Sequence, residues 1–457
     1  MATPISLFWF RRDLRLHDNA GLLAALQSGH PVQPIFIFDT EILDELIDRA
    51  DARVQFIHES LQRIQEVLAE LGATLDVRIG KPIEVFQELT QEYPTRAVYT
   101  NEDYEPYARM RDQQVGDWLK SKGISFHSYK DQVVFAKDEV LKDDGKPYTV
   151  FTPYSRKWRA RLQVDPIRSH PSEKYMDRFH RTALRVLPTL KKMGFEKSLI
   201  EFPTNAWDPA LIKRYAQQRD LPGVAGTSRL GVHLRFGTIS VRELAKQAAS
   251  WSDSFVNELI WRDFYHTILW HFPKVVHQSF KPEYDSIAWR NNNTEFEAWC
   301  TGQTGYPIVD AGMRELNATG FMHNRVRMIA ASFLVKHLRL SWVHGARWFW
   351  DTLLDADYGA NGSNWQWVAG TGVDAPMFSR IMAPLSQSEK FDAGAYVRKW
   401  VPELADLRDP YIHDPDEFGV RPRVYPAKII GHRAARERAL EAMQLTRAEG
   451  SRSNDEG

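Results

Sequence analysis

The sequence offers few of the devices that mark common enzyme classes. It has a single cysteine, Cys300, so an intrachain disulfide cannot form. No apolar run approaches the roughly 18 residues that would suggest a membrane span. No GxGxxG follows the first strand-like segment, which removes the usual dinucleotide fingerprint. There is no P-loop and no nucleophile elbow. His266, His271 and His277 lack tight ligand spacing and acidic partners, so no metal site is expected. The opening MATPISLFWFRRD meets charge directly after a short apolar run and does not read as a signal peptide. With the lone cysteine, the expectation is a cytoplasmic protein.

Net charge is also missing: 59 Lys and Arg balance 59 Asp and Glu over 457 residues. The balance is uneven along the chain. Residues 1–130 hold 14 basic and 20 acidic residues, whereas 131–200 hold 15 and 9. No acid lies between Glu315 and Asp351, a stretch containing Arg325, Arg327, Lys336, Arg339 and Arg347. A local basic segment of this kind suits phosphates even in a neutral chain, although a solvated helix face explains it equally well.

What is present divides in two. Strand-like runs at Ile5–Phe10, Val32–Asp39, Thr74–Ile79, Ala97–Thr100 and Ile124–Tyr129 alternate with helical patterns. Asp51 is placed to cap the longest of these helices, which runs through Leu71. This alternation predicts a parallel α/β domain over residues 1–130. Residues 131–202 read as a long basic connector on the surface, with weak periodicity. Residues 203–445 read as all-helical, and 446–457 as a disordered tail. Twelve of the fifteen tryptophans fall between Trp207 and Trp400, which fits a photochemical or redox cofactor better than a hydrolytic mechanism.

Four segments stand out. In NELIWRDFY, the apolar stripe is Val256, Leu259, Ile260 and Phe264, while Glu258, Trp261, Arg262 and Tyr265 share a second face. The bland reading of that face is a solvated Glu258–Arg262 pair. In FMHNRVRM, Asn324, Arg327 and Met328 share a face and Arg325 points elsewhere. In LLDADYGANGSNWQW, Asp355 and Asp357 are placed to pair with Arg327, and the Gly/Asn/Ser run predicts a break in the helix. The short run GTSRL at Gly226–Leu230 offers hydroxyls and amides to a phosphate.

Together these segments resemble the photolyase/cryptochrome family. LFWFRRDLRLHDN, GTSRL, NELIWRDFY, TGYPIVDAGMRELNATGFMHNRVRM and DADYGANGSNWQW occur in family order and spacing, from Ile5 to about Arg433. The resemblance implies an α/β domain joined to an all-helical domain that holds FAD, active as the anionic FADH⁻. It places Tyr215, Thr227, Ser228, Arg229, Leu230, Arg262, Asn324, Arg327, Asp355, Asp357 and Asn361 around the cofactor, with Asn361 facing flavin N5. Trp365, Trp342 and Trp289 match the electron-hopping tryptophans; Trp299 fits the family spacing less well.

The resemblance further implies a lyase that repairs cyclobutane pyrimidine dimers in UV-damaged DNA under blue light. Glu258, Trp261, Asn324, Met328 and Trp367 match the residues around the flipped-out dimer, with Glu258, Asn324 and Asn361 in catalytic roles. Arg219, Arg325, Arg380 and Gln387 match DNA-facing positions. Phe38, Asp39, Arg53 and Asp103 resemble the antenna residues of members that bind 8-hydroxy-deazaflavin, with FMN, folate or no antenna as alternatives. Tyr107 and Ala108 stand where folate-binding members carry Asn and Glu. The alternatives to repair are a signalling cryptochrome and a DASH-type cryptochrome acting on single strands. A monomer is expected.

Overall fold

A computed structural model describes residues 3–375 and 381–442. Five parallel strands form one sheet in the order β3-β2-β1-β4-β5. They are β1 Ile5–Phe10, β2 Val32–Asp39, β3 Asp76–Gly80, β4 Thr95–Asn101 and β5 Ser125–Tyr129. Every residue of β1 and β2 is buried, as continuous apolar runs in a doubly covered sheet require. Ile5, Leu7 and Trp9 pack with Ile35, Ile37, Phe86, Leu89, Val115 and Leu119 beneath the helices Pro82–Glu92 and Pro106–Ser121. The helix Ala52–Glu70 starts where expected, with the Asp51 carboxylate accepting from Arg53 N at 2.8 Å. The expected strand at Thr74–Ile79 begins later, at Asp76. Thr74 instead serves as a polar anchor, with Oγ1 accepting from Gln65 and from Arg185 N.

The strand order reverses between β1 and β4, where open α/β sheets commonly bind ligands. Here that position is filled from within. Asn101 Nδ2 donates to Asp13 Oδ2 at 2.6 Å and to Asn19 Oδ1 at 2.8 Å. A Cβ on Gly21 would lie 2.8 Å from Asn101 Oδ1.

Residues 131–202 are more ordered than their sequence pattern suggests. They contain the helix Phe151–Val164, whose Phe151, Tyr154, Ser155 and Trp158 are buried at i, i+3, i+4 and i+7. The apolar period is masked by four basic residues and by Pro153 in the first turn.

By internal contacts the chain forms two compact units. The first comprises Met1–Tyr148, Pro153–Trp207 and Arg229–His271; the second comprises Thr149–Thr152, Asp208–Ser228 and Phe272–Gly457. The second is mainly helical, with helices Asn293–Cys300, Pro307–Thr319, Asn324–Ser332, Trp342–Thr352, Tyr358–Ala369, Pro384–Phe391 and Ala395–Trp400, and a further helical stretch at 432–442. Its core gathers Trp299, Leu316, Phe333, Trp342, Phe349 and Trp365. A π-helical turn, Phe333–His337, buries Lys336, whose Nζ donates to Ala369 O at 2.8 Å. No described helix is long and apolar enough to cross a membrane.

Candidate active site

The first unit contains the helix Asp253–His271. Val256, Leu259, Ile260 and Phe264 are buried as expected, and Glu258, Trp261 and Arg262 are half-buried. Arg262 donates to the carbonyls of Gln132 and Leu234. Trp261 packs on Tyr265, with ring centroids 5.3 Å apart. Asp263 anchors this helix, a role that sequence reasoning missed. It is fully buried and accepts from Phe135 N and from the Trp158 indole, both at 2.9 Å. Burial pushes its carboxyl above the usual carboxylate range, against the pull of those hydrogen bonds. The signal was available: Asp263 interrupts an otherwise apolar stripe three and four residues after Ile260 and Leu259.

In the second unit, the helix Asn324–Ser332 begins at His323, whose ring accepts from Arg325 N. Burial, then the nearby Arg327, lowers the His323 pKa to about 4. Arg327 makes a two-pronged ion pair with Asp355, both contacts at 3.1 Å, and its Nε donates to Met322 O. Arg325 is held by Asp220 at 2.7 Å and lies over the Phe391 ring. Asn324 is exposed, and Met328 and Gln387 are half-buried. Arg219 covers the Tyr215 ring at 5.3 Å. Arg380 lies outside the described residues.

The expected helix break in the segment after Asp357 does not occur. Tyr358–Ala369 is one helix, capped by the Asp357 carboxylate on Gly359 N at 2.9 Å and Ala360 N at 3.2 Å. Asp355 and Asp357 therefore differ in role: the first takes Arg327, the second starts a helix. Gly359, Gly362 and Ser363 are buried, so tertiary packing of small residues overrides their poor helix propensity. Asn361 is half-buried and its Nδ2 donates to Ala346 O at 2.9 Å.

Trp365 and Trp342 are buried, and Trp289 is half-buried. Trp365 meets Phe349 at 4.9 Å and Trp299 at 6.0 Å between centroids. Trp299, which fitted the family spacing less well, is thus a direct and fully buried neighbour of Trp365.

Thr227 and Ser228 are half-buried, and Arg229 takes a left-handed backbone (φ 53°) before Leu230 opens the helix Gly231–Phe236. The donor set fits a flavin dinucleotide. Guanidinium, carboxylate and amide groups match the ring's polar edge, and hydroxyls and main-chain amides match phosphates.

The four antenna candidates are each engaged within the first unit. Phe38 is buried at the end of β2. Asp39 accepts from Tyr107 Oη at 2.6 Å, and burial raises its pKa. Arg53 is clasped by Asp51. Asp103 pairs with Arg12 at 3.2 Å, and the arginines around it overcome burial to lower its pKa to about 2. A cavity of about 980 Å³ in this unit is lined instead by Arg15, Phe56, Arg63, Phe202 and His233, among others. None of the four antenna candidates lines it.

Comparison with known proteins agrees over nearly the whole chain. Residues 6–173 match the DNA photolyase family, and residues 255–445 match the FAD binding domain of DNA photolyase. A deoxyribodipyrimidine photo-lyase of Synechococcus is 38% identical, covering 94% of each chain. The structure of a class III photolyase from Agrobacterium tumefaciens superposes with a TM-score of 0.85 at 34% identity, covering 98% of each chain. An archaeal photolyase from Sulfolobus tokodaii, described with two FAD molecules that imply a novel light-harvesting cofactor, gives a TM-score of 0.79 at 32% identity, covering 98% of this chain and 99% of that one. The chain belongs to the DNA photolyase/cryptochrome family.

Proposed function

We propose that this protein is a light-dependent lyase that splits cyclobutane pyrimidine dimers in DNA. The segment Asp355–Trp367 carries the reading, since one capped helix and its approach hold the ion-paired acid, the amide and both tryptophans. When bound, FAD supplies blue-light absorption and the single electron that opens the dimer. Arg262, Arg327, Asp355 and Asn361 orient the flavin ring, and Tyr215 with Thr227 to Leu230 hold its phosphates. The Asn361 amide accepts a hydrogen bond at flavin N5 without supplying a proton there. Glu258 and Asn324 hydrogen-bond the polar edges of the flipped bases, while Trp261, Met328 and Trp367 cover their faces. Arg219, Arg325 and Gln387 contact phosphates. Asn324 and Met328 are among the positions that match the histidine pair of (6-4) photolyases, which disfavours the histidine acid–base chemistry of (6-4) repair.

The test is Glu258→Ala. Repair per absorbed photon is expected to fall about tenfold or more, with the flavin spectrum and its photoreduction unchanged. Full repair by this variant would remove Glu258 from the substrate site.

For the antenna, the favoured chromophore remains a deazaflavin in the α/β unit. Tyr107, which stands where the resemblance gives folate-binding members an Asn, donates to Asp39 at 2.6 Å. Denaturing the purified protein and identifying the released chromophores by absorption decides between deazaflavin, FMN, folate and none.

A further inference from the structure

Trp289 lies in an unusually basic part of the second unit. Its indole packs beside Ile287, which also touches Tyr284 and Leu440 of the helical stretch 432–442. Three arginines surround this point, each gripping a nearby carbonyl. Arg290 Nη1 donates to Leu338 O at 2.9 Å, Arg339 Nη2 to Ala288 O at 2.7 Å, and Arg438 to His337 O. Arg290 N also donates to Arg339 O at 2.8 Å, which fixes residues 288–290 beside 337–340. The acid that the structure places among them is Glu295, which takes Arg290 through both oxygens.

A carbonyl tether needs a donor, not a cation, so tethering alone does not explain three guanidiniums gathered around one carboxylate. Their crowding has a cost. Burial, then repulsion from Arg290, lowers the pKa of both Arg339 and Arg438. Arg438 Nε is buried without a partner. A cationic site also disfavours positive charge on Trp289 itself, so it does not serve to store an oxidised indole.

We propose that Arg290, Arg339 and Arg438 form a docking site for a small anionic one-electron reductant beside Trp289. The proposal rests on reading Trp289 as the solvent-side end of the path through Trp342 and Trp365. When an electron has left Trp289 toward Trp342, the docked anion gives one electron to the oxidised indole. If the indole has lost its N–H proton, water returns it. The donor departs oxidised by one electron. Enediolates and thiolates are anions of the required class, and the basic site raises their local concentration.

The test uses three ferrocenes of different charge, each able to reduce a tryptophan radical and each compared with itself across protein variants and salt: ferrocenecarboxylate, ferrocenemethanol and ferrocenylmethyl-trimethylammonium. Decay of the tryptophan radical after a laser flash is followed in the parent protein and in an Arg339→Gln/Arg438→Gln double variant, whose amides can keep the carbonyl tethers. In the parent protein, salt should slow the carboxylate and speed the ammonium. In the variant the carboxylate rate is expected to drop ~3–10-fold, with the ferrocenemethanol rate and repair by pre-reduced protein unchanged. An unchanged carboxylate rate, an equal fall for the neutral donor, or rates indifferent to salt would overturn the docking site. An unchanged long-lived radical in Trp289→Phe would instead overturn the electron path, so the two failures are distinguishable.

Discussion

His323 shows how far a side chain can depart from its sequence reading. It belongs to the basic stretch FMHNRVRM, yet it is buried, neutral and a helix cap. Its pKa in the fold, about 4, lies below the ordinary value of 6.5. The fold therefore favours the neutral ring. That stabilisation is complete above pH 6.5 and is lost as pH falls toward 4, amounting to about 3 kcal/mol. Burial lowers His337 similarly, to about 3, and its Nε2 meets His432. The denaturation midpoint is expected to fall between pH 6.5 and 4, and His323→Asn, which keeps a capping side chain, should flatten part of that slope. An identical slope in the variant would show that His323 does not titrate as described. Residue identities were legible here because the motifs are contiguous. The division of labour between Asp355 and Asp357 was not, since two acids in DAD present the same chemistry until the helix start is known.

At the scale of elements, strands and amphipathic helices of the α/β unit were readable because their periods are regular. Two helices were not. Phe151–Val164 hides its buried stripe among arginines, and Tyr358–Ala369 is built from residues that disfavour helix in isolation. Both are stabilised by what they pack against. Gly345 shows the tolerance. A Cβ there would lie 2.2 Å from Trp365 Cη2 and 2.5 Å from Leu334 Cδ2. The helix Trp342–Thr352 can thus approach Trp365 only with glycine at this position. Gly345→Val is expected to cost about 1–3 kcal/mol and to slow flavin photoreduction by displacing Trp365. A thermal melt and a photoreduction time course on the same preparation check both effects, and parent-like values in both would contradict the packing described.

For the whole molecule, zero net charge hid its relation to DNA. The sequence located basic stretches, but not which cations are already paired. Arg325, for example, is paired with Asp220 through Nη2. DNA affinity is expected to fall steeply with salt and to depend little on base sequence around the dimer. Titrations at two salt concentrations on two sequences test this, and a salt-independent affinity would exclude phosphate-led binding. The central claim is tested most directly by illuminating flavin-reduced protein with a thymine-dimer duplex and with a dimer-containing single strand, each beside a dark control. Light-dependent restoration of thymine in the duplex is the expected result. With FAD bound and reduced, restoration of neither substrate would contradict dimer repair, and restoration of the single strand alone would point to a DASH-type activity.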